Sequence, residues 1–262
     1  MPTVRAVPTI SAARLRFFRG IVRAYFRRHF RSVMTQERAR FAAMQGPLIV
    51  YANHSSWWDP MVCVLLAEQC MPQRKHYAPM DAAALERYRL LRRLGMFAVE
   101  MQTARGAAQF LRTSEAILAS GGVVWITPQG RFADPRETLA FKPGLGALAT
   151  RVPQLTLLPL AIEYTFWDER LPETLLRFGE PVRIAEGTSS EQATATLQAA
   201  LAATMAELRH AAMARDAGAF AVLVEGGRGT GGFYALGRRV RALLTRRAVA
   251  LDHTRRGEGE RR

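Results

Sequence analysis

The sequence predicts an α/β fold, in which a central, largely parallel sheet is flanked by helices and an N-terminal basic amphipathic helix precedes it. Short apolar runs rich in β-branched residues recur along the chain, and segments with helical spacing of apolar residues separate them. This alternation is typical of parallel strands, because each pair needs a long crossover connection. The length of 262 residues and the 49% hydrophobic content are sufficient for a large buried core.

The first predicted element is a helix over residues 14–34, where aromatic and aliphatic residues recur at helical spacing. Seven arginines stand between them, and no acidic residue occurs before Glu37. This pattern is typical of a basic helix that lies in an anionic bilayer interface. The alternative is an ordinary helix that packs its phenylalanines on the core and exposes its arginines. We expect residues 1–44 to form a membrane-docking segment.

An α/β domain is predicted for residues 45–215. Its strands are expected at Leu48–Ala52, Lys75–Ala78, Met96–Val99, Gly122–Ile126, Leu155–Ile162 and Leu175–Phe178. Its helices are expected at Pro60–Gln69, Ala82–Arg93, Arg105–Ala119, Gly144–Val152 and Ser190–Met213. Residues 216–262 are interpreted as a glycine hinge, a basic helix near Phe233–Arg247 and a polar tail. The Gly227–Gly232 stretch matches a dinucleotide fingerprint, but no second strand follows to complete that unit.

The charge is strongly positive, with 37 Lys+Arg against 22 Asp+Glu and a net charge of +15. Lysine occurs only at Lys75 and Lys142, so the surface is rich in arginine, which suits phosphate and other anions. The two cysteines, Cys63 and Cys70, lie too far apart on one helix to be bridged, which excludes a disulfide scaffold and favours a reducing compartment. No apolar run approaches the roughly 18 residues of a spanning helix, so we expect peripheral attachment at the cytoplasmic face of a membrane.

The first candidate site follows the strand Leu48–Ala52, where Asn53 and His54 are succeeded by Asp59 at the start of a helix. Open α/β sheets bind their ligands at this carboxyl edge. An imidazole can take a proton from a hydroxyl at neutral pH, and a carboxylate on its other nitrogen fixes the tautomer. The alternative makes Asp59 a helix N-cap and leaves His54 as a strand-end residue held by backbone.

The second candidate site follows the strand Gly122–Ile126, where Pro128, Gln129, Gly130 and Arg131 form a predicted tight turn. The guanidinium of Arg131 is suited to a bidentate contact with phosphate or carboxylate. A surface turn with a solvated arginine is the alternative. Further along, Lys142 precedes a helix and adds a second cation to the same edge of the sheet.

Four features of the sequence together resemble the glycerolipid acyltransferase family, which includes lysophosphatidate and glycerol-phosphate acyltransferases. In chain order they are Asn53-His54-(four residues)-Asp59, Pro-x-Gly-Arg, Lys-Pro-Gly and the strand at residues 158–162. The resemblance covers about residues 45–165 in the correct order. It implies that His54 is the general base on the acceptor hydroxyl and that Asp59 orients it. It also implies a thioester of CoA or acyl carrier protein as donor, and contact of Gly130 and Arg131 with the acceptor's phosphate or polar head.

Two positions depart from the family pattern. Gln129 stands where the family usually has Glu, and Met101 stands where an Arg usually follows a Phe-x-x-acid stretch. The nearest cation to Met101 is Arg105, at the start of a predicted helix, from which it could reach a phosphate. The predicted substrate-binding set is therefore Gln129, Gly130, Arg131, Arg105 and Lys142. The acceptor is less well specified than the chemistry, and a sugar, a glycolipid or another alcohol is an alternative to a lysophospholipid such as lysophosphatidate.

The sequence thus predicts a peripheral membrane O-acyltransferase that uses neither a metal nor a redox cofactor. Its expected partners are an anionic membrane surface, acyl-CoA or acyl carrier protein, and a lipid-like acceptor, with no nucleic acid. An alternative from another class is a non-catalytic basic adaptor that docks on membranes or nucleic acid through its arginine-rich ends. In that case His54 and Asp59 would be structural.

Overall fold

A computed structural model describes residues 7–227 of the chain. These residues form a single eight-stranded sheet with helices on both faces. The elements in chain order are α1 (Ala12–His29), β1 (Ser32–Gln36), α2 (Arg38–Ala42), β2 (Leu48–Ala52), α3 (Asp59–Cys70), β3 (His76–Asp81), α4 (Ala82–Arg87), a 3-10 helix (Arg89–Leu94), β4 (Met96–Val99), α5 (Ala104–Ala119), β5 (Val123–Ile126), α6 (Gly144–Arg151), β6 (Thr156–Thr165), β7 (Glu173–Phe178), α7 (Ser190–Ala214), a second 3-10 helix (Ala217–Ala219) and β8 (Ala221–Glu225).

The strand order is β4-β3-β5-β2-β6-β7-β1-β8. The five strands from β4 to β6 are mutually parallel, β7 is antiparallel to β6, β1 is parallel to β7, and β8 is antiparallel to β1. This confirms the predicted α/β class with a largely parallel sheet. Near the end of β2, Tyr51 pairs with Ile126 of β5 and Pro159 of β6. The loops after β2 and β5 therefore emerge side by side.

The core lies on both faces of the sheet, and β2 shows how it is divided. Leu48 and Val50 face the cluster formed with α1 and α3, whereas Ile49 and Tyr51 face the cluster formed with α5, α6 and α7. A strand buried on both faces is apolar at every position, which explains the unbroken run at residues 48–52. Phe26 of α1 is fully buried in the first cluster, so this basic helix does pack on the domain.

The predicted strands and helices are found close to their expected positions, with two differences at helices. The expected helix at Ala82–Arg93 is divided at Tyr88 into α4 and a 3-10 helix. The helix expected over residues 14–34 begins at Ala12, where Ser11 caps it, and ends at His29. The prediction that it continues to Met34 is wrong, because residues 32–36 form β1 and are buried within the sheet.

Two strands were not predicted, and both come from the ends of the described chain. In β1 four of five residues are buried and their burial does not alternate, so the strand lacks the period of two. Its partner β8 pairs with it antiparallel, bringing Ser32 opposite Glu225. The basic helix expected near Phe233–Arg247 and most of the glycine hinge lie outside the described residues. Within residues 7–227, none of the helices combines the length and apolar character that crossing a bilayer requires.

Candidate active site

The loop after β2 is fixed to the neighbouring strand by Asn53. Its buried amide donates from Nδ2 to the Ile162 carbonyl, and its Oδ1 accepts from the Ile162 N–H, both at 2.9 Å. This pair of hydrogen bonds holds the end of β2 against β6 at the point where the sheet's own ladder ends. His54 therefore leaves the sheet from a defined position at its carboxyl edge.

His54 and Asp59 form the hydrogen-bonded pair that the sequence predicts. His54 Nδ1 lies 2.8 Å from Asp59 Oδ2, and the same oxygen accepts the backbone N–H groups of Ser55 at 2.9 Å and Ser56 at 3.0 Å. An ionised carboxylate only accepts, so Nδ1 carries the proton and Nε2 is the acceptor nitrogen of the ring. The His54 side chain is 17% exposed and that of Asp59 is 1% exposed, so the imidazole is the accessible member of the pair.

Asp59 does not act as the N-cap that the alternative interpretation requires. Helix α3 begins at Asp59 itself, and Trp58 occupies the N-cap position without a capping side chain. The Asp59 carboxylate instead turns back to the backbone of the preceding loop. Its negative charge near a helix N-terminus is also favourable. The loop and the first turn of α3 are thus built around this carboxylate.

A tyrosine that the sequence analysis did not identify contacts this pair. Tyr164, near the end of β6, donates its hydroxyl to Asp59 Oδ1 at 2.7 Å. Burial, together with the negative charge of Asp59, raises the pKa of Tyr164 well above its usual value, so the hydroxyl stays protonated. No local pattern connects positions 105 residues apart. The adjacency of β2 and β6 in a parallel sheet is the one feature that could have suggested the contact.

Gln129 supports the loop of His54 from the neighbouring strand end. Its Oε1 accepts the backbone N–H of His54 at 2.9 Å, and the Ala133 N–H donates to the His54 carbonyl at 2.8 Å. Gln129 is buried and is not part of the wall of the cavity that His54 faces. The structure therefore places this predicted substrate-binding residue outside the cavity wall, against the backbone of His54. There its amide oxygen accepts the same hydrogen bond that a carboxylate oxygen of glutamate would accept.

Gly130 and Lys142 are brought together beside His54. Gly130 has a φ of +65°, and a Cβ at this position would lie 2.7 Å from Lys142 Cε and 3.0 Å from Nζ. The Lys142 N–H donates to the Pro128 carbonyl at 2.8 Å, which closes the loop that carries both residues. Glycine adopts this backbone conformation without strain, and its lack of a Cβ allows the lysine side chain to pass close to the backbone. Both residues contribute to the wall of the same cavity as His54.

Arg131 reaches the same cavity, but its guanidinium is already paired. Its Nη2 lies 2.6 Å from Glu137 Oε2, and Nη1 donates to the Phe132 carbonyl at 3.1 Å. The hydrogen bond from Arg131 lowers the pKa of the exposed Glu137 carboxyl. The Phe132 ring lies against His54, with 4.3 Å between ring centroids. The cavity wall at Arg131 therefore carries a positive and a negative charge side by side, not an unpaired arginine.

Arg105 is the predicted site residue that the structure leaves apart from the others. It is exposed in the first turn of α5, and the cavity wall on that side is formed by Met101 and Gln102. A Cβ on Gly106 would lie 2.0 Å from the Glu100 carbonyl oxygen, so α5 starts tightly against the end of β4. The residues before α5, and not its first arginine, thus face the cavity.

A cavity of about 1210 Å³ extends from His54, at the carboxyl ends of the strands, along β3 to His76 at the amino end of that strand. All six residues of β3 contribute to its wall, and a strand of this length spans about 20 Å at 3.3 Å per residue. Apolar residues of α1 and α3 form much of the remaining wall, among them Leu15, Phe18, Met61 and Val64. The site thus joins a polar, accessible imidazole to a long, largely apolar space.

The far end of the cavity contains a second histidine with a different environment. His76 Nε2 lies 2.9 Å from the Met71 carbonyl oxygen, and Trp125 Nε1 donates to His76 Nδ1 at 3.0 Å. Burial lowers the pKa of His76 to about 4, so its ring is neutral. On α3, burial raises the pKa of the Cys63 thiol, with a contribution from the charge of Asp59. Among residues 7–227, no three His, Cys, Asp or Glu side chains cluster as a metal site would require.

Comparison with known proteins links this geometry to one family. The family model described as Acyltransferase matches residues 28–163, which include His54, Asp59 and the loop after β5. The lyso-ornithine lipid O-acyltransferase of Rhizobium meliloti (strain 1021) is 32% identical over 126 residues, which are 45% of this chain and 41% of that protein. The chain thus spans about two fifths of the length of this curated relative.

A solved structure shows a similar fold. It is the 1-acyl-sn-glycerophosphate (LPA) acyltransferase PlsC from Thermotoga maritima, which matches with a TM-score of 0.57 and 17% identity over 74% of this chain and 79% of that chain.

Proposed function

Because the chain belongs to the acyltransferase family, we propose that it transfers a fatty acyl group from a thioester donor to a hydroxyl group of a lysolipid. The observation that carries this proposal is the His54–Asp59 pair at the mouth of a long apolar cavity. The donor is acyl-CoA or acyl carrier protein, both of which present the acyl group as a thioester. The lyso-ornithine lipid named for the relative supports a lysolipid as acceptor.

In the proposed reaction, His54 Nε2 takes the proton of the acceptor hydroxyl while the oxygen attacks the thioester carbonyl. The C–S bond then breaks, an ester forms, and the imidazolium returns the proton to the leaving sulfur. Asp59 stabilises the imidazolium and keeps the proton of the neutral ring on Nδ1. General base catalysis of this kind contributes about 10²–10⁴-fold to the rate.

The cavity supports a position for the acyl chain. Its walls along β3, α1 and α3 are largely apolar, and it opens beside His54. Moving an acyl chain from water into such a space gains about 0.8 kcal/mol per buried CH₂ group. With the chain in the cavity, the thioester carbonyl lies at the mouth, within reach of an acceptor oxygen activated by Nε2.

The charges at the mouth favour an acceptor that is not a phosphomonoester. Arg131 is paired with Glu137, Arg105 lies away from the cavity, and Met101 stands where the family usually has an arginine. Lys142 lies beside Gly130, and Glu137 contributes a carboxylate through its pair with Arg131. A rim of mixed charge fits a zwitterionic headgroup, such as the amino-acid head of a lyso-ornithine lipid, better than the doubly charged phosphate of lysophosphatidate.

The exposed face of α1 supports docking to a membrane. Phe17 and Ile21 are 70% and 48% exposed on the same side of the helix, and exposed arginines accompany them. Trp57 and Leu90 are also about half exposed, and both contribute to the cavity wall. Apolar side chains with flanking arginines suit an anionic bilayer surface. Docking on this side would bring the cavity close to its lipid substrates.

The proposal is tested by transfer of a labelled acyl group on liposomes, from CoA and carrier-protein thioesters, to a panel of acceptors. The panel contains a lyso-ornithine lipid, lysophosphatidate, other lysophospholipids, a glycolipid and simple alcohols. Wild type should acylate the lyso-ornithine lipid in preference to lysophosphatidate, and His54→Ala should lose at least about 100-fold in rate. His210→Ala, which changes an exposed histidine on α7, is the matched control and should retain the rate.

Two results would count against the proposal. Preferred acylation of lysophosphatidate would overturn the acceptor assignment and leave the chemistry in place. Failure of wild type to transfer from either donor to any acceptor would overturn the chemistry and favour the non-catalytic membrane adaptor.

A further inference from the structure

We propose that Tyr164 is a positioning residue for acyl transfer, whose hydroxyl holds Asp59 in the orientation that presents Oδ2 to His54. The inference rests on the proposed function, in which His54 is the base. Tyr164 lies outside the histidine–aspartate motif and two residues after the strand segment 158–162, and none of the motifs that carry the resemblance includes it. Its role follows from the hydrogen bonds of Asp59.

The Asp59 carboxylate receives hydrogen bonds at both oxygens. Oδ2 accepts from His54, Ser55 and Ser56, at 2.8 to 3.0 Å, whereas Oδ1 receives the hydroxyl of Tyr164 at 2.7 Å. Because the Asp59 side chain is 1% exposed, bulk water does not reach Oδ1. Without the tyrosine hydroxyl, Oδ1 would be a buried, charged oxygen without this donor, and the carboxylate would be held through Oδ2 alone.

Tyr164 can act only as a donor toward Asp59. Burial and the adjacent carboxylate both disfavour the phenolate, so the hydroxyl keeps its proton. Through Asp59, the tyrosine is connected to the loop that supplies the Ser56 backbone N–H to Oδ2. The tyrosine, the loop and the carboxylate therefore form one connected network around the base.

The backbone that carries Tyr164 is itself fixed relative to His54. Two residues earlier, Ile162 is held by the side chain of Asn53, the residue next to His54. Tyr164 also pairs with Thr174 of β7, and its ring packs near Phe30, with 6.1 Å between centroids. Strand β6 thus contacts the catalytic loop twice, once at the backbone before His54 and once at the carboxylate that orients it.

A matched tyrosine allows this role to be separated from an ordinary contribution to folding. Tyr51 of β2 is fully buried, whereas Tyr164 is partly buried, and the Tyr51 hydroxyl donates to the Leu197 carbonyl at 3.2 Å. It faces the helix layer on the other side of the sheet, away from Asp59. Both Tyr164→Phe and Tyr51→Phe remove one buried hydroxyl and one hydrogen bond, but only the first touches the network of the base.

The test compares Tyr164→Phe, Tyr51→Phe, Asp59→Asn and the double variant Tyr164→Phe/Asp59→Asn in steady-state acyl transfer. Tyr164→Phe should lower kcat about 10- to 100-fold, the range typical of a hydrogen-bond partner that orients a reacting group, with the acceptor KM changed less than about twofold. Tyr51→Phe should keep kcat within about twofold. In the Asp59→Asn background, Tyr164→Phe should cause little further loss, because its effect passes through that carboxylate.

A spectroscopic measurement makes the test independent of turnover. The hydrogen-bonded Nδ1 proton of His54 should give a downfield proton NMR resonance that is absent in His54→Ala and present in Tyr51→Phe. In Tyr164→Phe this resonance should shift or broaden as the carboxylate loses its orientation. Thermal unfolding of both tyrosine variants shows that they are folded.

The inference is overturned if Tyr164→Phe keeps both the wild-type kcat and an unchanged downfield resonance. An equal loss of kcat in the wild-type and Asp59→Asn backgrounds would also overturn it, because the tyrosine would then act independently of Asp59. Failure of the proposed function looks different, since wild type itself would then transfer no acyl group while the resonance could still respond to Tyr164→Phe.

Discussion

The two histidines at opposite ends of the cavity have contrasting surroundings. His54 is hydrogen-bonded to a carboxylate through Nδ1 and turns its other nitrogen toward the cavity mouth, whereas His76 has protein partners at both nitrogens. Burial keeps His76 neutral, with a pKa of about 4. A histidine in an apolar cavity is thus a candidate base when one nitrogen has a carboxylate partner and the other is left for substrate.

The largest expected effect comes from changing the partner of His54. Asp59→Asn should lower kcat about 10³–10⁴-fold, because an amide in this position allows the imidazole to adopt the wrong tautomer while leaving the geometry largely intact. Steady-state acyl transfer measures the loss, and circular dichroism checks that the variant is folded. A kcat within tenfold of wild type would mean that the carboxylate partner, which His54 has and His76 lacks, is not what makes His54 the base.

The corresponding prediction for His76 concerns stability and pH. The folded-state pKa of about 4 lies below the usual value near 6.5, so the unfolded chain binds the proton first as the pH falls. This contribution to stability is present above about pH 6.5 and is lost as the pH falls toward 4. Between pH 7.5 and 5.0 the loss should be about 2 kcal/mol.

Urea unfolding at the two pH values measures this difference. His76→Gln is the informative variant, because glutamine can keep a donor and an acceptor for Met71 and Trp125 but does not titrate. Its loss of stability over the same pH range should be smaller than that of wild type by about 2 kcal/mol. An equal pH dependence in both proteins would show that His76 is not held neutral by the fold.

A smaller effect on kcat is expected from changing Gln129, which follows β5 and holds the loop that carries His54. Gln129→Ala removes the acceptor of the His54 backbone N–H and should lower kcat about tenfold, which corresponds to one hydrogen bond of about 1.4 kcal/mol. Gln129→Glu restores an acceptor oxygen and should stay within about threefold of wild type. A fully active alanine variant would contradict this supporting role, whereas a raised acceptor KM with unchanged kcat in that variant would indicate that Gln129 contacts substrate directly, as the sequence suggested.

The smallest expected effect concerns the paired charges at the cavity mouth. Glu137→Gln removes the partner of Arg131 and leaves an additional unneutralised cation beside Lys142. The ratio of kcat/KM for lysophosphatidate over a lyso-ornithine lipid should rise a few-fold, because exposed charges are strongly screened. Competition assays with both acceptors in the same liposomes measure this ratio, and a ratio unchanged at low salt would contradict a role for this pair in acceptor choice.

The sequence predicted the parts of the site that lie at strand ends. His54 and the loop of Gly130 follow apolar runs, and parallel strands bring such ends to one edge. The sequence did not predict the contact of Tyr164 with Asp59 or that of Gln129 with the His54 backbone, because these contacts join positions 105 and 75 residues apart. Strand β1 was missed for a related reason, since its burial between distant strands leaves no period of two to detect.

The central claim, that His54 is the base for acyl transfer, is tested most directly by single-turnover transfer from a labelled acyl thioester to a lyso-ornithine lipid, with and without added imidazole. His54→Ala should transfer at least about 100-fold more slowly than wild type, and imidazole should restore part of the rate by supplying a base in the space that the side chain leaves. His210→Ala should behave as wild type. Transfer by His54→Ala at the wild-type rate would contradict the account.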